Sequence, residues 1–210
     1  NFKNYVHGEK ALKLALVVEK YLPKAIISVC AIDLINIKEN TNLTVYAQHV
    51  DNVENNKRAT GFETIEGIKS QGIKGSLINH SEHQIKIEEI IKLINDSKEN
   101  KLKLIVCAST MGFVEELLKL KNKPYAIAFE DPQLIATGGS ITTFKSDDLK
   151  KFVKLLNGRG ILPICGAGVS TLKDVVSARE YGCKGVLIAS AIADAKNPEK
   201  LLKDLQGIKF

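Results

Sequence analysis

The sequence has no C-x-x-C pair, no run of five or more like charges, no apolar stretch long enough to span a membrane, and no internal repeat. Without C-x-x-C spacing, Cys30, Cys107, Cys165 and Cys183 give no zinc-ribbon or dithiol motif. Reduced, mostly buried thiols are expected, and with them a reducing cytoplasm. His80-x-x-His83 lacks a third ligand nearby, so no metal is expected there. The net charge is +6 and the pI near 9.0. The lysines are scattered along helix faces, which reads as a solvated surface rather than a nucleic-acid or membrane contact. A mild positive bias also suits a small anionic substrate. No signal peptide, low-complexity tract or interdomain linker is visible, and 210 residues suffice for one sizeable core.

What is present is an alternation of two periods. Short β-branched or apolar runs read as buried parallel strands at Ala25–Cys30, Leu43–Gln48, Gly75–Asn79, Lys103–Ser109, Tyr125–Glu130, Ile161–Cys165 and Gly185–Ser190. Helical stripes lie between them: Ala11, Ala15, Val18 and Leu22; Ile87, Ile90, Ile91 and Ile94; Leu149, Phe152, Val153 and Leu156. Ser146 is expected to cap a helix ending at Gly158. Thr171 and Asp174 form a capping box with Gly182 as the stop, and Asn197-Pro198 opens the last helix. Asn1-Phe2-Lys3 reads as the end of a further strand, most of which is expected to precede residue 1. Eight strands with helices between them point to a (β/α)8 barrel spanning residues 1–210 as a single domain. The rival is a doubly wound open sheet, which would carry phosphate-binding glycines after its first strand. Residues 1–8 hold one glycine.

In such a barrel, reacting groups gather at the carboxyl ends of the strands. That rule gathers Asn1 and Lys3, His80, and Glu130 around one bowl. Glu130 directly ends the apolar run 125–129, where desolvation is expected to raise a carboxyl pKa and improve it as a base. The small-residue loop Leu134–Gly139 follows, long enough to act as a lid. Gly166-Ala167-Gly168 and Ala189-Ser190-Ala191 follow the last two strands, where barrels most often hold phosphate. An amine, an imidazole, a carboxylate and a phosphate cradle are the parts needed to move a proton beside a carbonyl.

The chain resembles the triosephosphate isomerase family nearly end to end, in its short archaeal form. The matching segments are Asn1-Phe2-Lys3, Tyr46 to Asp51, Asn79-His80-Ser81-Glu82, Glu130 to Gly138, Cys165 to Val169 and Val186 to Ser190. The resemblance implies interconversion of dihydroxyacetone phosphate and glyceraldehyde 3-phosphate, in glycolysis and gluconeogenesis, without metal or organic cofactor. It implies Glu130 as general base, His80 as neutral electrophile, and Lys3 with Asn1 as stabilisers of the enediolate. Glu82 would be a supporting carboxylate. The backbone at Ile135, Ala136, Gly168, Ala189 and Ser190 would hold the phosphate. A homo-oligomer is implied, a tetramer rather than a dimer, with no nucleic-acid or membrane partner.

Some positions depart from that pattern. Asp131 stands where a proline usually follows the base, and an acidic neighbour there is expected to alter Glu130's ionisation. Gln133 and Ala136 replace a glutamate and a glycine, Gln84 an arginine, and Ala191 a glycine. Two other readings remain open from the residues: a different phosphate-binding barrel enzyme, and a barrel that has lost activity and serves as a scaffold.

Overall fold

A computed structural model describes residues 1–53, 58–131, 139–166 and 168–210. Among them, seven strands form one sheet: β1 (Ile26–Val29), β2 (Thr44–Ala47), β3 (Gly75–Ile78), β4 (Lys103–Ala108), β5 (Ala126–Phe129), β6 (Leu162–Cys165) and β7 (Gly185–Val186). The spatial order is the sequence order, and every neighbouring pair is parallel. A doubly wound sheet would reverse its strand order partway, so the open-sheet rival is set aside and the chain is built as a (β/α)8 barrel.

The eighth position is occupied without a regular strand. Asn1 N donates to Ile188 O at 2.8 Å on the β7 side, and Phe2 N to Ser28 O at 2.9 Å on the β1 side. The segment 1–3 thus bridges the seam between the last and first strands. β7 is also shorter than the expected run 185–190. After Leu187 N bonds Cys165 O, the chain leaves the ladder to start helix α9 (Ser190–Ala193).

The remaining helices are α1 (Gly8–Tyr21), α2 (Leu34–Asn40), α3 (Ile65–Ser70), α4 (Ile87–Glu99), α5 (Met111–Lys119), α6 (Ile141–Phe144), α7 (Ser146–Leu156), α8 (Leu172–Glu180) and α10 (Pro198–Leu205). Their apolar faces cover the outer side of the sheet. On α4 the buried stripe is Ile90, Leu93 and Ile94, with Ile87 and Ile91 half-buried at its margins. On α1, Leu14 and Tyr21 complete the stripe of Ala11, Ala15 and Val18, and Leu22 falls just past the helix end. Burying one such aliphatic side chain is worth about 1.5–3 kcal/mol.

Alternation along the strands separates two cores. Outward residues such as Leu104, Val106, Ile127 and Phe129 join the helix layer. Inward residues Tyr46, Leu77, Ile105, Cys107, Ala126 and Ala128 fill the barrel. Tyr46 fits because its neighbours are small. A Cβ on Gly75 would come within 2.5 Å of the Tyr46 ring.

Helix ends follow the expected chemistry in part. Thr171 Oγ1 accepts from Asp174 N and Asp174 Oδ2 accepts from Thr171 N, a complete capping box worth about 1 kcal/mol. Gly182, at φ +96°, follows as the stop. Ser146 is not a cap: it is the first residue of α7, and Lys145 holds the cap position without a side-chain bond. The four-residue α6 ends at Phe144, so the chain is already turning helically when it reaches Ser146. Asn197 occupies its cap position, also without a side-chain bond, and Pro198 opens α10.

Candidate active site

Glu130 lies one residue past β5. Its N–H donates to Ala108 O at 2.9 Å, which extends the ladder, and alternation turns it inward with Ala126 and Ala128. One residue before it, Phe129 stacks on Phe152 of α7 with ring centroids 5.2 Å apart, anchoring the strand from outside. Glu130 is 5% exposed, and its Oε2 has no hydrogen-bond partner among the described residues. Buried carboxylate oxygens are rarely left so. The Cys107 thiol packs against this carboxylate, and burial together with Glu130's charge pushes it well above the usual thiol range. Gly166 closes the other side: a Cβ there would sit 2.7 Å from Glu130 Cγ.

His80 enters the same space through a break in alternation. Asn79 adopts φ +58°, a left-handed conformation that asparagine tolerates better than most residues. Its amide secures the turn, donating to Cys107 O at 3.0 Å and accepting from Ile85 N at 3.1 Å. His80 Nδ1 then accepts the Glu82 backbone N–H at 3.2 Å. Nδ1 also lies 3.7 Å from Glu82 Oε2, so Glu82 faces this nitrogen with both its backbone and its carboxylate. Nε2 lies 3.7 Å from Glu130 Oε2.

Lys3 reaches this pair from the seam. It sits at φ +45°, a strained conformation costing about 1–2 kcal/mol. Side chains hold it there. Lys3 N donates to Asn1 Oδ1 at 2.9 Å, and Gln48 Nε2 donates to Asn1 Oδ1 at 3.1 Å and Lys3 O at 3.0 Å. Lys3 Nζ donates to Glu82 Oε1 at 2.6 Å. Glu82 therefore serves two partners, fixing the imidazole through its backbone and the ammonium through its carboxylate.

A cavity of about 760 Å³ opens at this mouth. Asn1, Lys3, Gln48, His80 and Glu82 line it, but Glu130, Gly168, Ala189 and Ser190 do not. Gly168 is at φ +70°, and a Cβ on it would overlap Gly139 O, so the turn after β6 packs directly against Gly139. Ala189 is the residue before α9, and Ser190 begins it. Ile135 and Ala136, with Gln133 and most of the expected lid, lie outside the described residues. Among the described residues, no group of three or more His, Cys, Asp and Glu is arranged to hold a metal ion. His83 stacks on His49 instead, with centroids 4.1 Å apart. All four cysteines are free; Cys30 is half-buried and the others buried.

The family model described as triosephosphate isomerase matches residues 1–205. The chain belongs to the triosephosphate isomerase family. The triosephosphate isomerase of Methanocaldococcus jannaschii is 36% identical over 100% of this chain and 97% of the relative. That of Methanobrevibacter smithii is 36% identical over 98% of this chain and 95% of its own length. That of Saccharolobus solfataricus is 36% identical over 97% and 92%.

The sequence assigned no role to Gln48 or Cys107, and marked Gly166 only as part of a phosphate turn, not as the residue packed against Glu130. Gln48 had a usable signal, since a polar amide directly ends the β2 run. The contacts of Cys107 and Gly166 with Glu130 had none, because they form across the barrel.

Proposed function

We propose that Glu130, His80 and Lys3 carry the aldose–ketose isomerisation that interconverts dihydroxyacetone phosphate and glyceraldehyde 3-phosphate. Glu130 takes the proton from the carbon beside the carbonyl and returns it to the other carbon. His80 donates from Nε2 to the carbonyl oxygen and moves protons between the two oxygens. Lys3, with Asn1, stabilises the enediolate charge. A carboxylate base paired with a neutral imidazole is the established chemistry of this family. The observation that carries the reading is the approach of His80 Nε2 to a buried Glu130 oxygen 3.7 Å away, with no hydrogen-bond partner for that oxygen among the described residues. The reading gives phosphate binding to the backbone at Ile135, Ala136, Gly168, Ala189 and Ser190.

The reading extends to the setting. The whole chain acts as one barrel domain in glycolysis and gluconeogenesis, in the cytoplasm, as a homo-oligomer with a tetramer favoured. Membership of the triosephosphate isomerase family supports the place in glycolysis, and no helix among the described residues is long and apolar enough to cross a membrane. The test is interconversion of the two triose phosphates by wild type beside Glu130→Ala. Turnover by wild type and a loss of about 10³-fold or more in the variant are expected. A folded wild type that neither turns over nor binds phosphoglycolate would end the proposal.

A further inference from the structure

Two buried carboxylates stand side by side at the end of β5: Glu130 is 5% exposed and Asp131 6%. Consecutive buried negative charges oppose each other's ionisation, yet a base must hold its charge to accept a proton. Alternation turns the two to opposite sides. Glu130 faces the barrel, and Asp131 faces the helices, where its Oδ2 lies 2.5 Å from Lys145 Nζ. Lys145 occupies the single-residue junction of α6 and α7. Its N–H bonds Ile141 O and its carbonyl accepts from Leu149 N, so its backbone is tied on both sides. The hydrogen bond and charge of Asp131 hold the Lys145 ammonium above its usual pKa.

We infer that Lys145 is a positioning residue for the proposed reaction: its ion pair with Asp131 cancels the charge beside Glu130 and leaves Glu130 free to act as an ionised base. The inference rests on the reading of Glu130 as the base. Other charged and titratable groups face these carboxylates too. Around Glu130 they are His80 beyond β3, Cys107 on β4, Cys165 on β6, and the Asn1 amino group, which burial pushes down to about 5. Near Lys145 stands Asp148 of α7. Every one of these is unchanged in the variants below. The substrate phosphate is common to all of them as well, so differences between profiles report on the pair.

The test is the acid limb of kcat/KM against pH for wild type, Asp131→Asn, Lys145→Met, the double variant and Glu130→Gln. Asp131→Asn removes the negative neighbour and keeps the cation, so the midpoint is expected to fall by about half to one pH unit. Lys145→Met removes the ammonium that faces Asp131 and keeps the negative charge, so the midpoint is expected to rise. The double variant removes both charges and should return close to wild type, as should Lys145→Arg. A purely structural staple would not move the single variants in opposite directions. Unmoved or parallel limbs, with Glu130→Gln still costing about 10³-fold, would overturn the inference and leave the base assignment standing. Glu130→Gln retaining most activity would instead overturn the base assignment, and the inference with it. Should Lys145→Met not fold, Asp131→Asn decides alone: a midpoint that stays or rises overturns the inference.

Discussion

The two sides of the barrel are held together differently. From β3 to β6, each pair of neighbouring strands is in register over four residue pairs. At the seam, β6 and β7 share two pairs, and segment 1–3 is tied by one backbone bond to each side. His80 and Glu130 stand on the laddered side, and Lys3 stands on the seam. What the backbone ladder does for Glu130, side chains do for the other two: the Asn79 amide secures the turn that carries His80, and the Gln48 amide and Glu82 carboxylate hold Lys3. A site assembled this way draws rigidity from two sources, and substitutions should separate them.

Among substitutions that leave Glu130 and His80 in place, the largest effect should come from the seam. Lys3→Met removes the ammonium beside Glu82 and should lower kcat/KM by about 10²–10³-fold. The melting temperature should move little, since the partner Glu82 is exposed and an ion pair of that kind contributes about 0–1 kcal/mol. A steady-state assay with a parallel melt checks this, and an intact kcat/KM would show that the seam supplies only structure. Next comes the laddered side. Gly166→Ala puts a methyl group against Glu130 Cγ, and displacing a base by about 1 Å costs on the order of 10²-fold. Activity within a fewfold of wild type would mean that Glu130 moves aside freely, and that the ladders do not hold it.

A smaller change is expected for Gln48→Ala, which deletes the amide clamping Asn1 and Lys3. We expect about a tenfold loss in kcat and roughly 1–2 kcal/mol of stability. A stability loss with no change in turnover would show that Lys3 holds its strained conformation unaided.

The smallest effect concerns the cavity wall beside the seam. Burial, then the stacked His83, holds His49 below its usual 6.5. The unfolded chain therefore takes up this proton first. The stability from neutral His49 is present above 6.5 and is lost as pH falls through the lowered native value. Glu63 works the other way. Burial, then Asp51, raises it above 4.5, so its contribution is present below 4.5 and lost as pH rises through its native value. His49→Asn should thus flatten the fall in melting temperature between about pH 7 and pH 5.5. An unchanged slope would assign the acid sensitivity elsewhere.

Much of the site was readable in order along the chain because barrel geometry gathers strand ends. Once the β/α period was recognised, Asn1, Lys3, His80 and Glu130 fell at one mouth with no knowledge of contacts. Local chemistry was readable where it stays local, as in the Thr171–Asp174 box and the Gly182 stop. It failed at Ser146, because the cap expectation took a helix to start from extended chain, whereas α6 delivers the backbone already turning. It failed at the end of the run 185–190, where single bonds at Leu187 and Ile188 are the last ties to the sheet and the chain turns into α9 at Ser190.

The amino-acid order by itself determined the alternation of strand and helix, the (β/α)8 class, and which residue types arrive at the strand ends, because these depend on hydrophobic period and short-range geometry. Only the tertiary structure decided the approach of His80 to Glu130, the clamp of Gln48 on the seam, the glycine needed at 166, and the pairing of Asp131 with Lys145 across 14 positions. Each of these is a contact between groups on different elements. Its energy depends on distances of a few ångströms, which arise only when the strands have closed around a common core.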